Sequence, residues 1–267
     1  MKLSLRPFLS LLFISLITLG LVACDKNKPA ETSSAGHAPD TGKVYRVGMN
    51  AAFAPFGSVN EAGKIVGFDA DIMQAIADQA GIKIVWVNTP WEGIFSTLAQ
   101  GDIDIIASAV TITDERKQSM LFSDPYFEAK QVILVPPGKD ITTPEDLKKA
   151  NKVGVTTSTS ADTVVQKILG KTNKAIVRFE SLPLLLKEVD AGGVDAAVGD
   201  NGAVENYVKN NNSKGFKLIY SDDFTKEYYG IAVRKEDTAL IAKINAALKT
   251  LRENGTYDKI YARYFAK

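Results

Sequence analysis

Two stretches, far apart in the chain, are built to one plan. Gln100-Gly101-Asp102-Ile103-Asp104 closes a helical pattern and opens an apolar run with a small-residue turn behind it. Gly192-Gly193-Val194-Asp195 does the same, leading into Ala196-Ala197-Val198 and then Gly199-Asp200. Helix, glycine, aspartate, buried strand and small turn, twice over, predict two similar α/β lobes whose strand ends face a shared cleft.

The first of these stretches continues as DIDIIASAVTITDERKQSMLFSDP, residues 102 to 125. Ile103, Ile105, Ile106, Ala107 and Val110 predict a buried strand. Small residues at its end, Ser108 and Ala109, let a ligand approach the backbone. A polar helical segment follows and carries Arg116, whose guanidinium offers a two-pronged grip on a carboxylate. The second stretch ends in Asp200. Asp200 precedes a helical pattern, where an aspartate also serves as a cap. A cation on one side of a cleft and an anion on the other fit a zwitterion, its carboxylate on Arg116 and its ammonium on Asp200. A ligand touching both lobes favours the closed form, because only closure completes its contacts.

The remaining elements alternate in type, which predicts crossovers and mainly parallel sheets. Val44 to Met49 reads as a first strand, 69–79 as a helix with Phe68, Ile72, Ile76 and Ala80 in its stripe, and 82–87 as a second strand. Pro90-Trp91 starts a helix that runs to Gln100 and stops at Gly101. Thr143-Pro144-Glu145-Asp146 is a helix start, and Thr159 with Asp162 fits a capping box. Ser181 is expected to cap a helix carrying Leu184, Leu185 and Val189. Val194 to Val198 and Glu227 to Val233 read as single strands, 237–253 as a long helix and 257–265 as a short terminal one.

Composition excludes several chemistries. The lone histidine, His37, lies in a low-complexity stretch, so neither a histidine-based triad nor a multi-histidine metal site is available. The lone cysteine, Cys24, rules out an intrachain disulfide. With a net charge of +1 and no basic–aromatic patch, nothing marks a nucleic-acid partner. No cofactor motif is present.

The N-terminus reads as a targeting segment. Lys2 and Arg6 precede an apolar run, Phe8 to Val22, of signal-peptide length. It stops at Leu21-Val22-Ala23-Cys24, which resembles a bacterial lipobox. That resemblance implies a signal peptide over 1–23, lipidation of Cys24 and an acyl anchor in a membrane. Residues 24–42 are rich in Pro, Ser, Thr, Gly and charge, as a flexible tether would be. Asp25 resembles the inner-membrane retention signal of some lipoproteins.

The body, about 43 to 265, resembles the polar amino-acid-binding proteins of bacterial ABC importers, extracellular solute-binding protein family 3. Gly67-Phe68-Asp69-Ala70-Asp71 resembles the family's GFDxD motif. Thr111-Ile112-Thr113-Asp114-Glu115-Arg116 and Phe122-Ser123-Asp124-Pro125-Tyr126 are equally specific, and Tyr229-Gly230-Ile231-Ala232 and Asn254-Gly255-Thr256-Tyr257 support them. The resemblance implies a two-lobed type II periplasmic-binding fold with the ligand cleft between lobes joined by two hinge strands. Lobe 1 would be 43–125 plus 230–267, lobe 2 would be 131–224, and the hinges 126–130 and 225–229. By position, Arg116 matches the carboxylate-binding arginine and Asp200 the ammonium-binding aspartate. Ser108, Ala109 and Thr111 match strand-end residues that hold the amino-acid backbone. Ser160 matches a second-lobe carboxylate contact at a helix N-terminus. Phe53 and Trp91 match aromatics flanking the ligand side chain.

Two departures bear on specificity. Asn50 stands where many relatives have Asp, and Thr156 where glutamine binders have Lys. Both changes lean toward a neutral polar side chain, with Glu92 or Glu227 left to serve a cationic one. The resemblance implies a monomeric, membrane-anchored receptor of the cell envelope that hands an amino acid to an ABC permease. Some secreted dehydratases share the fold, and an amino-acid sensor is a further alternative. The absence of a convincing extra cleft acid, and the chain's ending at Lys267 without a membrane span, set the expectation of a binding protein rather than an enzyme or a receptor domain.

Overall fold

A computed structural model describes residues 42–266. The leader, Cys24 and the tether expected before residue 42 lie outside the described residues.

The described chain starts with β1 (Val44–Met49). Three short strands follow, β2 (Ala52–Phe53), β3 (Gly57–Val59) and β4 (Ile65–Val66), paired as a small antiparallel sheet. Next come α1 (Phe68–Ala80), β5 (Lys83–Asn88), α2 (Trp91–Gln100), β6 (Ile105–Ile106), α3 (Asp114–Lys117) and β7 (Met120–Phe122). The chain then runs through β8 (Phe127–Ala129), β9 (Gln131–Val135), a 3-10 turn (Pro144–Lys149), β10 (Val153–Thr156), α4 (Ser160–Leu169) and β11 (Ile176–Phe179). After these stand α5 (Leu182–Asp190), β12 (Ala196–Asp200), α6 (Asn201–Asn210) and β13 (Lys217–Ile219). It closes with β14 (Glu227–Tyr229), β15 (Ala232–Arg234), α7 (Thr238–Glu253) and α8 (Thr256–Phe265).

The strands make two five-stranded sheets of matching plan. One has the order β5-β1-β6-β15-β7, the other β11-β10-β12-β9-β13. In each, three parallel strands are followed by one antiparallel strand and a last strand beyond it. The antiparallel member is supplied by the chain crossing over. β8 and β14 pair as a two-stranded ribbon, β8 runs on into β9 of the second sheet, and β14 runs on into β15 of the first. This is the two-lobed type II architecture, with the C-terminal ends of both sets of parallel strands facing one cleft.

The sequence echo has a structural cause. Asp104 accepts the Arg46 backbone N–H at 2.9 Å, and Asp195 accepts those of Asn151 and Lys152 at 2.7 and 3.0 Å. Each aspartate thus ties the entry of a central strand to the strand beside it. Asp104 also pairs with Arg46 and Arg234, at 3.2 Å each, and these donors hold its carboxyl down at about 2 although burial opposes them. Asp195 pairs with Lys139 at 2.6 Å.

Helix α1 buries Phe68, Ile72, Met73 and Ile76 against the first sheet and α7, whose Leu240, Ile244, Leu248 and Leu251 are buried in turn. Phe68 lies at the centre of an aromatic cluster with Phe56, Phe127 and Phe265. Helix α2 ends at Gly101, whose φ of 80° closes the last turn in the left-handed region that a side chain would resist.

Several local expectations differ from the structure. Only Ile105–Ile106 of the run 103–110 forms strand, because the following residues leave the sheet to build the cleft. The expected strand 227–233 is two strands divided at Gly230-Ile231, one in the ribbon and one in the first sheet. Leu184 is exposed, and α5 buries Leu182, Leu185, Leu186 and Val189 instead. Ser181 makes no side-chain cap. Thr159 Oγ1 accepts the Asp162 N–H, but the Asp162 carboxylate turns to Arg178 at 2.8 Å, so the box is half made. A full capping box forms at Thr143 and Asp146.

Candidate functional site

The ends of the parallel strands converge on one cavity. From the first sheet's side, Asn50 follows β1, Phe53 lies in β2, Trp91 opens α2, and Ser108, Ala109 and Thr111 follow β6, with Arg116 in α3. From the second, Thr156 ends β10, Ser160 opens α4 and Asp200 ends β12. All ten residues expected from sequence line the same cavity, together with Thr159 and Leu182.

Arg116 is held from several directions. Thr113 caps α3 and accepts the Arg116 backbone N–H at 3.1 Å. The guanidinium lies over the rings of Trp91 and Phe95, 5.3 and 4.9 Å from their centroids. Nη1 donates to the Thr111 carbonyl at 2.8 Å and Nη2 to the Ser158 carbonyl at 3.3 Å. Of the five N–H groups of an arginine, three remain to grip an anion. Burial presses the Arg116 pKa below its ordinary value, and Asp200 and Glu227 pull it back.

Ala109 and Ser158 are the two non-glycine residues with positive φ among the described residues, 48° and 58°. Both lie at the cleft, where such strain is held only by surrounding contacts. Asp69, buried at the start of α1, supplies the contact for Ala109 by accepting its N–H at 2.5 Å. Burial pushes the Asp69 carboxyl up to about 7, against the pull of that N–H. The Ala109 N–H is therefore engaged within the protein, which leaves the residue's carbonyl for a ligand. Ser108 Oγ accepts the Asn50 N–H at 3.0 Å and keeps its own proton to donate.

Asp200 occupies the cap position of α6 but makes no capping bond. Its side chain turns into the cleft floor instead, where Tyr229 Oη donates to Oδ2 at 2.5 Å and Gln131 Nε2 donates to Oδ1. Burial raises the Asp200 carboxyl; Tyr229, Gln131 and Arg116 oppose it. Ser160 is the first residue of α4, so its N–H belongs to the unpaired first turn, where the helix dipole favours an anion.

Among the described residues, three bonds cross the cleft: Trp91 Nε1 to the Thr157 carbonyl at 3.2 Å, Arg116 Nη2 to the Ser158 carbonyl, and the Thr111 and Ser160 hydroxyls at 3.4 Å. Trp91→Phe keeps an aromatic wall but loses the first. One neutral hydrogen bond contributes about 1 kcal/mol, so Kd should rise about fivefold, mostly through faster dissociation measured by stopped flow.

Phe95, Gln131 and Leu182 were not singled out from sequence, and Tyr229 entered only as part of a family motif, with no role at the site. Phe95 was visible as the residue one helical turn after Trp91. Gln131 and Tyr229 show only once the strand registers are known.

Residues 45–267 match the model of the bacterial extracellular solute-binding proteins, family 3. The chain belongs to this family. Among its relatives, a protein of Neisseria gonorrhoeae named "Probable histidine-binding protein" is 53% identical over 88% of this chain and 87% of its own length. The L-arginine-binding protein of Pseudomonas aeruginosa is 33% identical over 84% and 88%. Among solved structures of the family, the arginine-, lysine-, histidine-binding protein ArtJ of Geobacillus stearothermophilus superposes with a TM-score of 0.81 at 41% identity, covering 84% of this chain and 96% of that one. An ancestral amino-acid-binding protein described as a precursor of cyclohexadienyl dehydratase superposes at 0.76 with 37% identity, over 83% and 95%.

Proposed function

We propose that this protein captures a polar L-amino acid between its lobes and delivers it to an ABC permease at the membrane. The observation that carries the reading is the opposed pair in one cavity, Arg116 from one side and Asp200 from the other. The α-carboxylate takes Arg116, the Ser160 amide and the hydroxyls of Ser108 and Thr111, while the α-ammonium takes Asp200. Asn50, Phe53, Trp91 and Thr156 are left to the side chain. Segments 43–125 plus 230–267 and 131–224 act as the two lobes, and 126–130 with 225–229, which contain the β8–β14 ribbon, act as hinges.

Histidine is the first candidate ligand. Its imidazole is largely neutral near pH 7, which suits an Asn50 amide able both to donate and to accept. Phe53 and Trp91 supply flat walls for such a ring. The name of the 53% identical relative points the same way. The sequence further supports a secreted lipoprotein, cleaved before Cys24 and anchored there by acyl chains to a membrane of the cell envelope, at its periplasmic face or at the outer cell surface. Binding rather than catalysis is favoured because, among the described residues, Asp200 is the one carboxylate that lines the cavity directly, and it is already held by Tyr229 and Gln131.

A thermal-shift screen of the twenty amino acids tests the reading. A ligand at about a thousand times its Kd stabilises by about 4 kcal/mol, and L-histidine should give the largest shift. No shift with any amino acid, or turnover of a prephenate-like acid, would count against it.

A further inference from the structure

Beside Asp200, one face of the strands at the cleft floor carries two polar side chains, Gln131 and Glu227, that amino-acid capture leaves without a role. Side chains directly opposite across an antiparallel pair share a face, as do residues two apart along a strand. Asp200 lies opposite Gln131, and Glu227 lies opposite Ala129, two residues before Gln131. The registers therefore bring Asp200, Gln131 and Glu227 to one side of the crossing strands. Gln131 is 1% exposed and centres them: Nε2 stands 3.1 Å from Ser160 Oγ and 3.1 Å from Glu227 Oε2, besides its bond to Asp200. Thr111 Oγ1 reaches Glu227 Oε2 at 3.5 Å. Gln131 Oε1 is buried and accepts no hydrogen bond among the described residues.

The protons do not go round. A side-chain amide has two N–H donors and here meets three acceptors, two of them carboxylate oxygens. The Thr111 hydroxyl has a single proton, and toward Glu227 it is spent as a donor. To hold a ligand carboxylate at the corner formed by Thr111, Ser160 and Arg116, that hydroxyl must turn its proton into the cleft. It would then face an ionised Glu227 with lone pairs on both sides. A proton on Glu227 resolves this: Glu227 donates to Thr111 Oγ1, and Thr111 donates to the ligand.

We propose that Gln131 and Glu227 are positioning residues of this site, and that Glu227 takes up one proton from solvent as the carboxylate of an amino acid binds at Thr111, Ser160 and Arg116. The inference rests on the amino-acid-binding reading above. The charged groups facing Glu227 are Asp200, which favours the proton until the ligand ammonium meets it, and Arg116, which opposes it until the ligand carboxylate meets it, so the two effects offset and the proton is set by the hydrogen bond from Glu227 to Thr111. Burial and Asp200 already hold the Glu227 carboxyl above its usual range, with Ser160, Gln131 and Thr111 pulling the other way. Nearby Lys130 and Lys226 pair with Asp222 and Glu128.

Uptake of a proton means that affinity is strongest below the titration of Glu227 and falls as pH rises through it, by up to about tenfold per pH unit. Asp200 must be ionised to hold the ammonium, so it gives the opposite limb on the acid side. L-arginine, L-glutamine and L-histidine are each titrated calorimetrically into the full protein from about pH 5 to about pH 8, in buffers of different ionisation enthalpy. The proton count for histidine is corrected for its own imidazole. Wild type should take up a proton and lose affinity at high pH. Glu227→Gln imitates the protonated acid, so it should bind as wild type does at low pH, with no uptake and no high-pH loss, while keeping the acid limb. Thr111→Val should bind more weakly and also lose the high-pH limb, and it serves as the second reading should Glu227→Gln fail to fold. Equal proton uptake and equal pH slopes in wild type and the variants overturn the inference alone. Failure of wild type to bind any of the three amino acids overturns the amino-acid reading and the inference with it.

Discussion

Arg116→Ala should abolish amino-acid binding, raising Kd on the order of a thousandfold, about 4 kcal/mol. The guanidinium is a half-buried, oriented donor set stacked on Trp91 and Phe95, and among the described residues no other cationic side chain lines the cavity. Asp200→Asn should cost about 3 kcal/mol of affinity, because it keeps the shape and an acceptor for Tyr229 but removes the charge that meets the ammonium. The two variants should differ in stability. Burial raises the folded-state pKa of Asp200. For an acid this means that stability is greatest with the group protonated and falls as pH rises through its titration. Asp200→Asn removes that term, so its Tm near neutral pH should equal or exceed that of wild type. Calorimetry and thermal unfolding on the same samples separate the two effects. Near-normal affinity in both variants would refute the site.

The largest expected effect on stability comes from Gly67→Ala. Gly67 stands before α1 with φ 134° and ψ 176°, a conformation open essentially to glycine alone. A Cβ there would lie 2.2 Å from the Phe56 carbonyl oxygen and 2.9 Å from the Gly57 nitrogen, both backbone atoms that cannot rotate away. Strain and clash together should cost about 4 kcal/mol, lowering Tm by about 10 °C in a body of this size. Gly93→Ala is the control. Gly93 lies inside α2, and its Cβ would meet nothing closer than Thr97 Oγ1 at 4.0 Å. That change should be neutral or stabilise by up to about 1 kcal/mol. Equal Tm values for the two variants would show that the approach at Gly67 is not tight.

These two positions show what could be read from sequence and what could not. The motif Gly67-Phe68-Asp69-Ala70-Asp71 marked the family, and its residues turn out to build the site rather than touch a ligand. Gly67 permits the close approach, Phe68 centres the aromatic cluster, Asp69 holds the turn at Ala109, and Asp71 accepts from Tyr264 at 2.6 Å. Arg116 and Asp200 were legible because a cation and an anion at two strand ends have few other uses. Gln131 was not, since a glutamine at the start of an apolar strand looks like an ordinary edge residue. Its role depends on which residue of β12 lies opposite, and that register is set by pairing between distant segments. The division of 227–233 into two strands was hidden for the same reason: the run is continuous in composition, and only the crossing between sheets breaks it.

The order of strands also constrains how the molecule is made. The second sheet, β9 to β13, comes from one uninterrupted stretch of chain. The first has a slot between β6 and β7 that is filled by β15, and among the described residues β7 pairs with no other strand. Until β15 emerges during synthesis, Ile105 and Ile106 keep an open edge and β7 lacks its partner, so the segment between them that carries Arg116 is tied into the sheet through β6 alone. Long-range pairing of this kind is slow to find, while local pairing is quick. The strands that carry Asp200 can therefore pair on a nascent chain before those that frame Arg116, but Tyr229, which holds the Asp200 carboxylate, arrives only with β14, so both sides of the cavity are completed by the last strands.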